Sequence, residues 1–391
     1  MTLAVEMFRS IPRYVASRAI SSRVPGLLSA PVAPLRLVDR EEPRVEGRGW
    51  ARLRPLLSGI CGSDLNTLSG GASLYFTALV SMPFVPGHEV VARLADDCED
   101  LRAGQRVVID PILGCAARGI DPACPPCASG QQGRCERVAA GHLAAGLQTG
   151  YCHDTGGGWS ALMVAHRSQM HRVPDDLADE TAVLVEPLAC AIRSVRRARV
   201  ERDATVLIVG AGSVGLLTLI ALRARAEAGR VLVVAKHRGQ ADLVRAWGAE
   251  AVGVDDALGA VRRSTRAFRL DPQLGSSFLL GGADISFECA GSASALDLAL
   301  RATRAGGRVV LSGMPAGADL SPAWFRELEL TGSYSGTGAF DESMELCAEA
   351  ELGKLVAAAY PLARFREAID HAFSAGKLGA VKVAFDPRLD A

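Results

Sequence analysis

From about residue 189 onward, unbroken apolar runs alternate with helical stretches. The runs fall at 205–209 (Thr-Val-Leu-Ile-Val), 230–235, 283–288 and 307–312. An apolar run without polar alternation belongs to a strand covered on both faces, and such strands separated by helices make a parallel sheet. Upstream the texture differs. Residues 24–115 set short apolar segments, such as 90–92 and 106–109, among Pro and Gly, which predicts short strands and turns. Residues 115–160 read as loop, with Gly156-Gly157-Gly158 and repeated Pro. The Arg-rich stretch 256–280 lacks a clear period and is expected to be a surface insertion. After about residue 338 helix and strand return, ending in the apolar run 381–385, and no internal repeat is visible.

Length and charge narrow the classes. At 391 residues the chain exceeds what one ordinary core supports, which predicts two domains, and 49% hydrophobic residues can fill both interiors. A formal net charge of zero gives no footprint for nucleic acid or an anionic membrane. No apolar run reaches membrane-spanning length, and residues 1–23 interleave Glu6, Arg9, Arg13 and Arg18 with apolar positions instead of forming a secretory leader. A soluble cytoplasmic protein is expected, whose ten cysteines serve as thiols and metal ligands rather than disulfides.

Gly210-Ala211-Gly212-Ser213-Val214-Gly215 directly follows the strand at 205–209 and opens a helix. In that setting the glycines have distinct tasks. Gly210 permits a tight turn, Gly212 lets a pyrophosphate approach the backbone, and Gly215 lets helix and strand pack closely. The amides of Ser213, Val214 and Gly215 at the helix N-terminus face the phosphates. An NAD site usually places Asp or Glu about 20 residues further on, at the end of the next strand. Here Ala235 stands at that point, followed by Lys236-His237-Arg238. Two firm cations without a carboxylate suit a ribose 2′-phosphate, so NADP(H) is expected in preference to NAD(H). The competing reading is a solvated basic turn.

Four cysteines, Cys115, Cys124, Cys127 and Cys135, crowd into one stretch at spacings that suit a tetrahedral zinc bracing a loop. Upstream, Gly59-Ile60-Cys61-Gly62-Ser63-Asp64 is followed by Pro86-Gly87-His88-Glu89, and downstream comes Glu186-Pro187-Leu188-Ala189. In that order, ahead of the glycine motif, these elements resemble the zinc-dependent medium-chain dehydrogenase/reductase family, over residues 30–385. The Glu-Pro-Leu-Ala element is similar to the branch containing polyol, threonine and glucose dehydrogenases.

The resemblance implies an α/β chain with a GroES-like β-rich catalytic domain at 1–187 and 338–391. It implies a Rossmann domain, a doubly wound parallel sheet for the nicotinamide dinucleotide, at 188–337. It makes Cys61 and His88 ligands of a catalytic zinc, completed by Glu89 or Glu186, and makes Ser63 the proton-relay hydroxyl. Where the family often carries His, this chain has Asn66, which does not titrate near neutrality, so the relay must end differently. Cys115, Cys124, Cys127 and Cys135 would hold a structural zinc. The first gap of that set is six residues longer than the family's two, because residues 116–123 intervene. A longer loop costs little closure entropy. Cys98, Cys152, Cys190, Cys289 and Cys347 have no partner at ligand spacing and read as ordinary thiols.

The function implied is hydride transfer between NADP(H), or NAD(H), and a small alcohol or carbonyl compound, with a polyol or sugar-like alcohol suggested by the similarity around Glu186, in a homodimer or homotetramer. Leu74, Tyr75, Phe76 and Trp159 are candidates for the substrate pocket, or for core. Two alternatives remain. One is a zinc-independent enone or quinone reductase of the same fold, against which Cys61, His88 and Glu89 speak. The other is a zinc-ribbon protein binding nucleic acid, against which the neutral charge speaks.

Overall fold

The computed structural model describes residues 1–21, 32–44, 47–314 and 317–390. The chain divides into two compact units, one of residues 1–186, 337–375 and 380–391, the other of residues 187–336 and 376–379.

The first unit is β-rich. Its N-terminal strand β1 (Thr2–Met7) pairs antiparallel with β2 (Leu35–Arg40). A larger sheet is built on β3 (Trp50–Gly59), β4 (Glu89–Leu94), β5 (Arg106–Ile109) and β7 (Met170–Arg172), with β6 (Met163–His166) also on β3. Neighbours in this group run antiparallel. Strand β4 is buried at five of its six positions, so it lies inside the sheet with little polar alternation.

The second unit is a six-stranded, all-parallel sheet. Its strands are β8 (Val206–Val209), β9 (Val231–Val234), β10 (Glu250–Val252), and, after a hairpin of β11 (Phe268–Leu270) and β12 (Phe278–Leu280), β13 (Ala283–Glu288), β14 (Thr303–Leu311) and β15 (Glu329–Gly332). The order β10-β9-β8-β13-β14-β15 is the doubly wound pattern, with its reversal between β8 and β13. Every residue of β8 and β9 is buried, which is why their sequences read as unbroken apolar runs.

The chain then returns to the first unit. There β16 (Val356–Tyr360) lies parallel to β17 (Lys382–Phe385), and β17 pairs antiparallel with β3, completing seven strands.

One expectation needs correcting, and one open choice is decided. The stretch 256–280 is not simply surface. Its helix Ala257–Thr265 buries Ala257, Leu258, Ala260 and Val261, and Leu279 joins the same core as Leu207 and Leu232. These apolar positions recur at helical spacing, but Arg262, Arg263 and Arg266 mask the stripe in a plain reading. Trp159 is core rather than pocket wall. It is fully buried with Ala4, Phe84 and Phe385, and its ring meets that of Phe385 edge-on at 5.0 Å.

Candidate active site

Sheet register assembles the first metal centre. Gly59, the last residue of β3, lies opposite Glu89, the first residue of β4, and beside Ala384 of β17. A β-carbon at Gly59 would stand 2.0 Å from Glu89 Oε2, so only glycine leaves room for that carboxylate. Gly87, just before His88, has φ +98°, and a side chain there would strike Trp159 and Ser58.

Cys61 follows β3 and caps the helix Gly62–Leu68. The backbone N–H of Cys61 donates to Asp64 Oδ2 at 3.0 Å, while Asp64 Oδ1 lies 3.5 Å from His88 Nδ1. One buried carboxylate thereby bonds the Cys61 backbone and sets a negative charge beside the outer ring nitrogen of His88, which itself makes no hydrogen bond. Burial alone would depress the His88 pKa, but the charge of Asp64, with a contribution from Cys61, raises it.

The donor atoms of Cys61, His88 and Glu89 lie within 4.8 Å of one another. A thiolate, an imidazole and a carboxylate match the three-ligand set of a catalytic zinc that keeps one position open. Glu186 is not in this cluster. It is 7% exposed in the first turn of the helix Val185–Ala198, and its charge is felt by Lys382.

Sequence reasoning missed Lys382. Its Nζ lies 2.7 and 2.6 Å from the two oxygens of Glu89, and both side chains are 1% exposed. Burial would lower the lysine pKa, yet the Glu89 charge beside it raises it. The signal was present: a lone lysine in the apolar run 381–385 calls for a buried counter-charge.

Ser63 Oγ lies 3.4 Å from His88 Nε2. Behind it, Thr67 Oγ1 donates to the Ser63 carbonyl at 2.9 Å and meets the buried Tyr151 hydroxyl at 3.2 Å. Asn66 is turned toward the Gly70-Gly71 bend, its Oδ1 2.2 Å from where a β-carbon of Gly71 would be. Leu74 and Tyr75 are exposed on a short 3-10 helix, Leu74–Leu79.

The second centre is the cysteine lobe. Sulfur–sulfur distances are 3.5 Å for Cys115–Cys124, 3.8 Å for Cys115–Cys135 and 3.9 Å for Cys124–Cys135, with Cys127 in the same group. Zinc–sulfur bonds of about 2.3 Å at tetrahedral angles give edges of about 3.8 Å, so the four thiols fit zinc. Burial opposes ionisation of Cys124, but backbone N–H donors from Glu136 and Cys127 bring its pKa to about 6, so a first thiolate forms readily.

The inserted residues are folded, not loose. Arg118, fully buried within them, donates to the carbonyls of Leu113, Ala140, Leu143, Ala144 and Gly146 at 2.7–3.4 Å. Replacing Cys127 with serine is expected to lower bound zinc from about two to about one per chain while the Cys61 centre keeps its metal. Elemental analysis checks this, and an unchanged zinc content would refute the assignment.

In the second unit, Gly210 has φ +108°, and a β-carbon on Gly215 would lie 1.8 Å from the Gly210 carbonyl oxygen. At Gly212 the same test meets nothing within 4 Å, leaving open space where a pyrophosphate would approach. Gly212 caps the helix Ser213–Arg225, whose first turn holds Ser213, Val214 and Gly215. Strand β9 ends at Val234, and Lys236 and Arg238 are exposed and make no ion pair among the described residues. Lys377 lies on the segment 376–379, where a β-carbon at Gly239 would be 3.2 Å from Gly379 Cα.

The chain is similar to known proteins. The family profile described as alcohol dehydrogenase GroES-like domain matches residues 47–175, and that described as zinc-binding dehydrogenase matches residues 213–349. L-idonate 5-dehydrogenase of Vitis vinifera is 29% identical over 339 residues, covering 84% of this chain and 85% of the relative. Sorbitol dehydrogenase of Arabidopsis thaliana is 27% identical over 345 residues, 86% of this chain and 88% of the relative. The crystal structure of 2R,3R-butanediol dehydrogenase from Bacillus subtilis shares the fold, with a TM-score of 0.73 at 21% identity over 99% of this chain and 100% of that one. The fold is therefore a GroES-like β-rich domain joined to a Rossmann domain, and zinc and NAD(P) are its cofactors. The chain belongs to the zinc-dependent medium-chain dehydrogenase/reductase family, as an alcohol oxidoreductase.

Proposed function

We propose that the enzyme interconverts a secondary alcohol of a polyol or sugar-like compound and the corresponding ketone, with NADP(H) preferred. The observation that carries this reading is the convergence of Cys61, His88 and Glu89 within 4.8 Å. Zinc held by these residues supplies Lewis acidity toward the substrate oxygen, and the nicotinamide supplies the hydride chemistry. The chain itself contributes position and charge. Asp64 bonds the Cys61 backbone and sets its charge beside His88, and Lys382 holds Glu89 at the rear of the centre. Ser63 is the hydroxyl that takes the alcohol proton. Asn66, turned toward its own bend, takes no part in passing that proton on. Glu186 contributes negative charge from the edge of the site.

The polyol preference is supported by the L-idonate and sorbitol dehydrogenases among the relatives. The zinc-bearing domain is taken as 1–187 and 338–391, the dinucleotide domain as 188–337, and the assembly as a cytoplasmic homodimer or homotetramer. Among the described residues no helix is long and apolar enough to cross a membrane.

A screen of alcohols, polyols and ketones with NADP(H) and NAD(H), with and without chelator, tests the reading. Full turnover in metal-free enzyme would overturn it. The cofactor preference has its own check. Replacing both Lys236 and Arg238 with alanine is expected to raise the NADP KM by roughly tenfold or more, through lost charge-assisted bonds, with the NAD KM nearly unchanged. Equal effects on both cofactors would refute the 2′-phosphate role.

A further inference from the structure

Glu288 is an acidic residue buried where a parallel sheet ordinarily carries none. It is 0% exposed and ends β13, level with Val209 of β8 and Leu311 of β14. The reversal of strand order lies between β8 and β13, so Glu288 sits at the foot of the crevice in which such sheets bind ligands.

Its bonds gather two turns. Oε1 accepts the backbone N–H of Ala290 at 2.9 Å and of Gly291 at 2.7 Å. Its backbone carbonyl accepts Ser312 N at 3.0 Å and Gly313 N at 2.9 Å. The turn it holds stands against the glycine motif, because a β-carbon on Gly210 would lie 3.0 Å from Ala290 Cβ and 3.1 Å from Ala290 N. Oε2 is buried without any hydrogen-bond partner, and a β-carbon on Gly313 would come within 2.6 Å of it. A bend that needed only a cap for two N–H groups would be served by a short neutral side chain. Here a longer acid spans from the strand end to the turn at the cost of an unsatisfied oxygen.

The two halves of such a sheet divide the dinucleotide between them. The half with β8, β9 and β10 carries the glycine motif and the ribose-reading position after β9, so it takes the adenosine end. The half that begins at β13 takes the nicotinamide end. We propose that Glu288 is a positioning residue for the nicotinamide half of the cofactor, fixing the turns at 289–292 and 312–314 into the floor on which that half lies. The inference rests on the reading of this crevice as the NAD(P) site. Burial also raises the Glu288 pKa, against the lowering by the Gly291 and Ala290 amides, so a neutral amide is a fair mimic of the side chain.

The test compares Glu288→Ala and Glu288→Gln in the zinc-loaded, full-length enzyme. Binding of NADPH and NADP, and of the half-ligand adenosine 2′,5′-bisphosphate, is measured by titration, together with KM, kcat, zinc content and thermal unfolding. Glu288→Ala is expected to weaken dinucleotide binding by roughly tenfold, as for one or two lost charge-assisted bonds, while affinity for the half-ligand, alcohol KM and zinc content stay near wild type. Glu288→Gln keeps an accepting oxygen and is expected to recover to within about threefold of wild type. Equal loss for dinucleotide and half-ligand would overturn the proposal, as would wild-type binding by Glu288→Ala or a Gln variant as weak as the Ala one. Should Glu288→Ala fail to fold, Gly313→Ala presses the same carboxylate from the other side and must give the same selective loss. A wild-type enzyme that binds neither NADP nor NAD would instead sink the cofactor reading itself.

Discussion

Lys382→Met is expected to destabilise the protein by about 3–5 kcal/mol, the usual cost of removing one partner from a buried ion pair. The mechanism is specific. Glu89 begins β4 and is 1% exposed; its side chain passes over Gly59 of β3 to Lys382 of β17, whose Nζ holds both its oxygens. Methionine fills the volume but, in the zinc-free protein, leaves an anion with no donor. Urea unfolding of both zinc-free proteins at neutral pH measures this. The double variant Glu89→Gln/Lys382→Met should regain most of the loss, since no charge stays buried. A single variant with an unchanged urea midpoint would show that the pair contributes nothing.

His88→Ala is expected to lower kcat by about a thousandfold or more, through loss of the metal held with Cys61 and Glu89 and of several kcal/mol of Lewis-acid assistance. Zinc content should fall by about one per chain, with the four-cysteine site still loaded. Asp64→Asn should show a gentler version of the same defect, a loss of about 10- to 100-fold, because the ligands remain but His88 loses the negative charge beside its ring. Metal analysis beside steady-state kinetics separates the cases. His88→Ala with wild-type turnover and full zinc would remove this centre from the mechanism.

Much of the fold was legible because its signals are local. The runs at 205–209 and 283–288 are apolar on both faces, and only a strand covered on both sides tolerates that. The glycine motif announced its own strand, turn and helix. Legibility failed where the deciding partner is distant in sequence. Lys382 and Glu89 are 293 residues apart, and nothing near either one names the other. Asp64 stood inside the quoted Gly-Ile-Cys-Gly-Ser-Asp motif, but its double task depends on where β4 delivers His88. Trp159 reads equally as pocket or core from composition, and the packing of Phe84 and Phe385 around it decides for core. The helix Ala257–Thr265 was hidden because basic residues occupy its outer face while a short apolar stripe does the packing.

Arg118 carries a consequence for how the cysteine lobe can change over generations. The inserted residues and the segment 140–146 form one interlocked piece, because a single guanidinium from the insertion fills the acceptors of the facing segment. Cutting out 116–123 to restore a short first gap would leave five carbonyl oxygens dry, at about 1–3 kcal/mol for each that finds no water. A shortened lobe that keeps its shape therefore has to supply new donors to the segment 140–146, in the place that one arginine now fills.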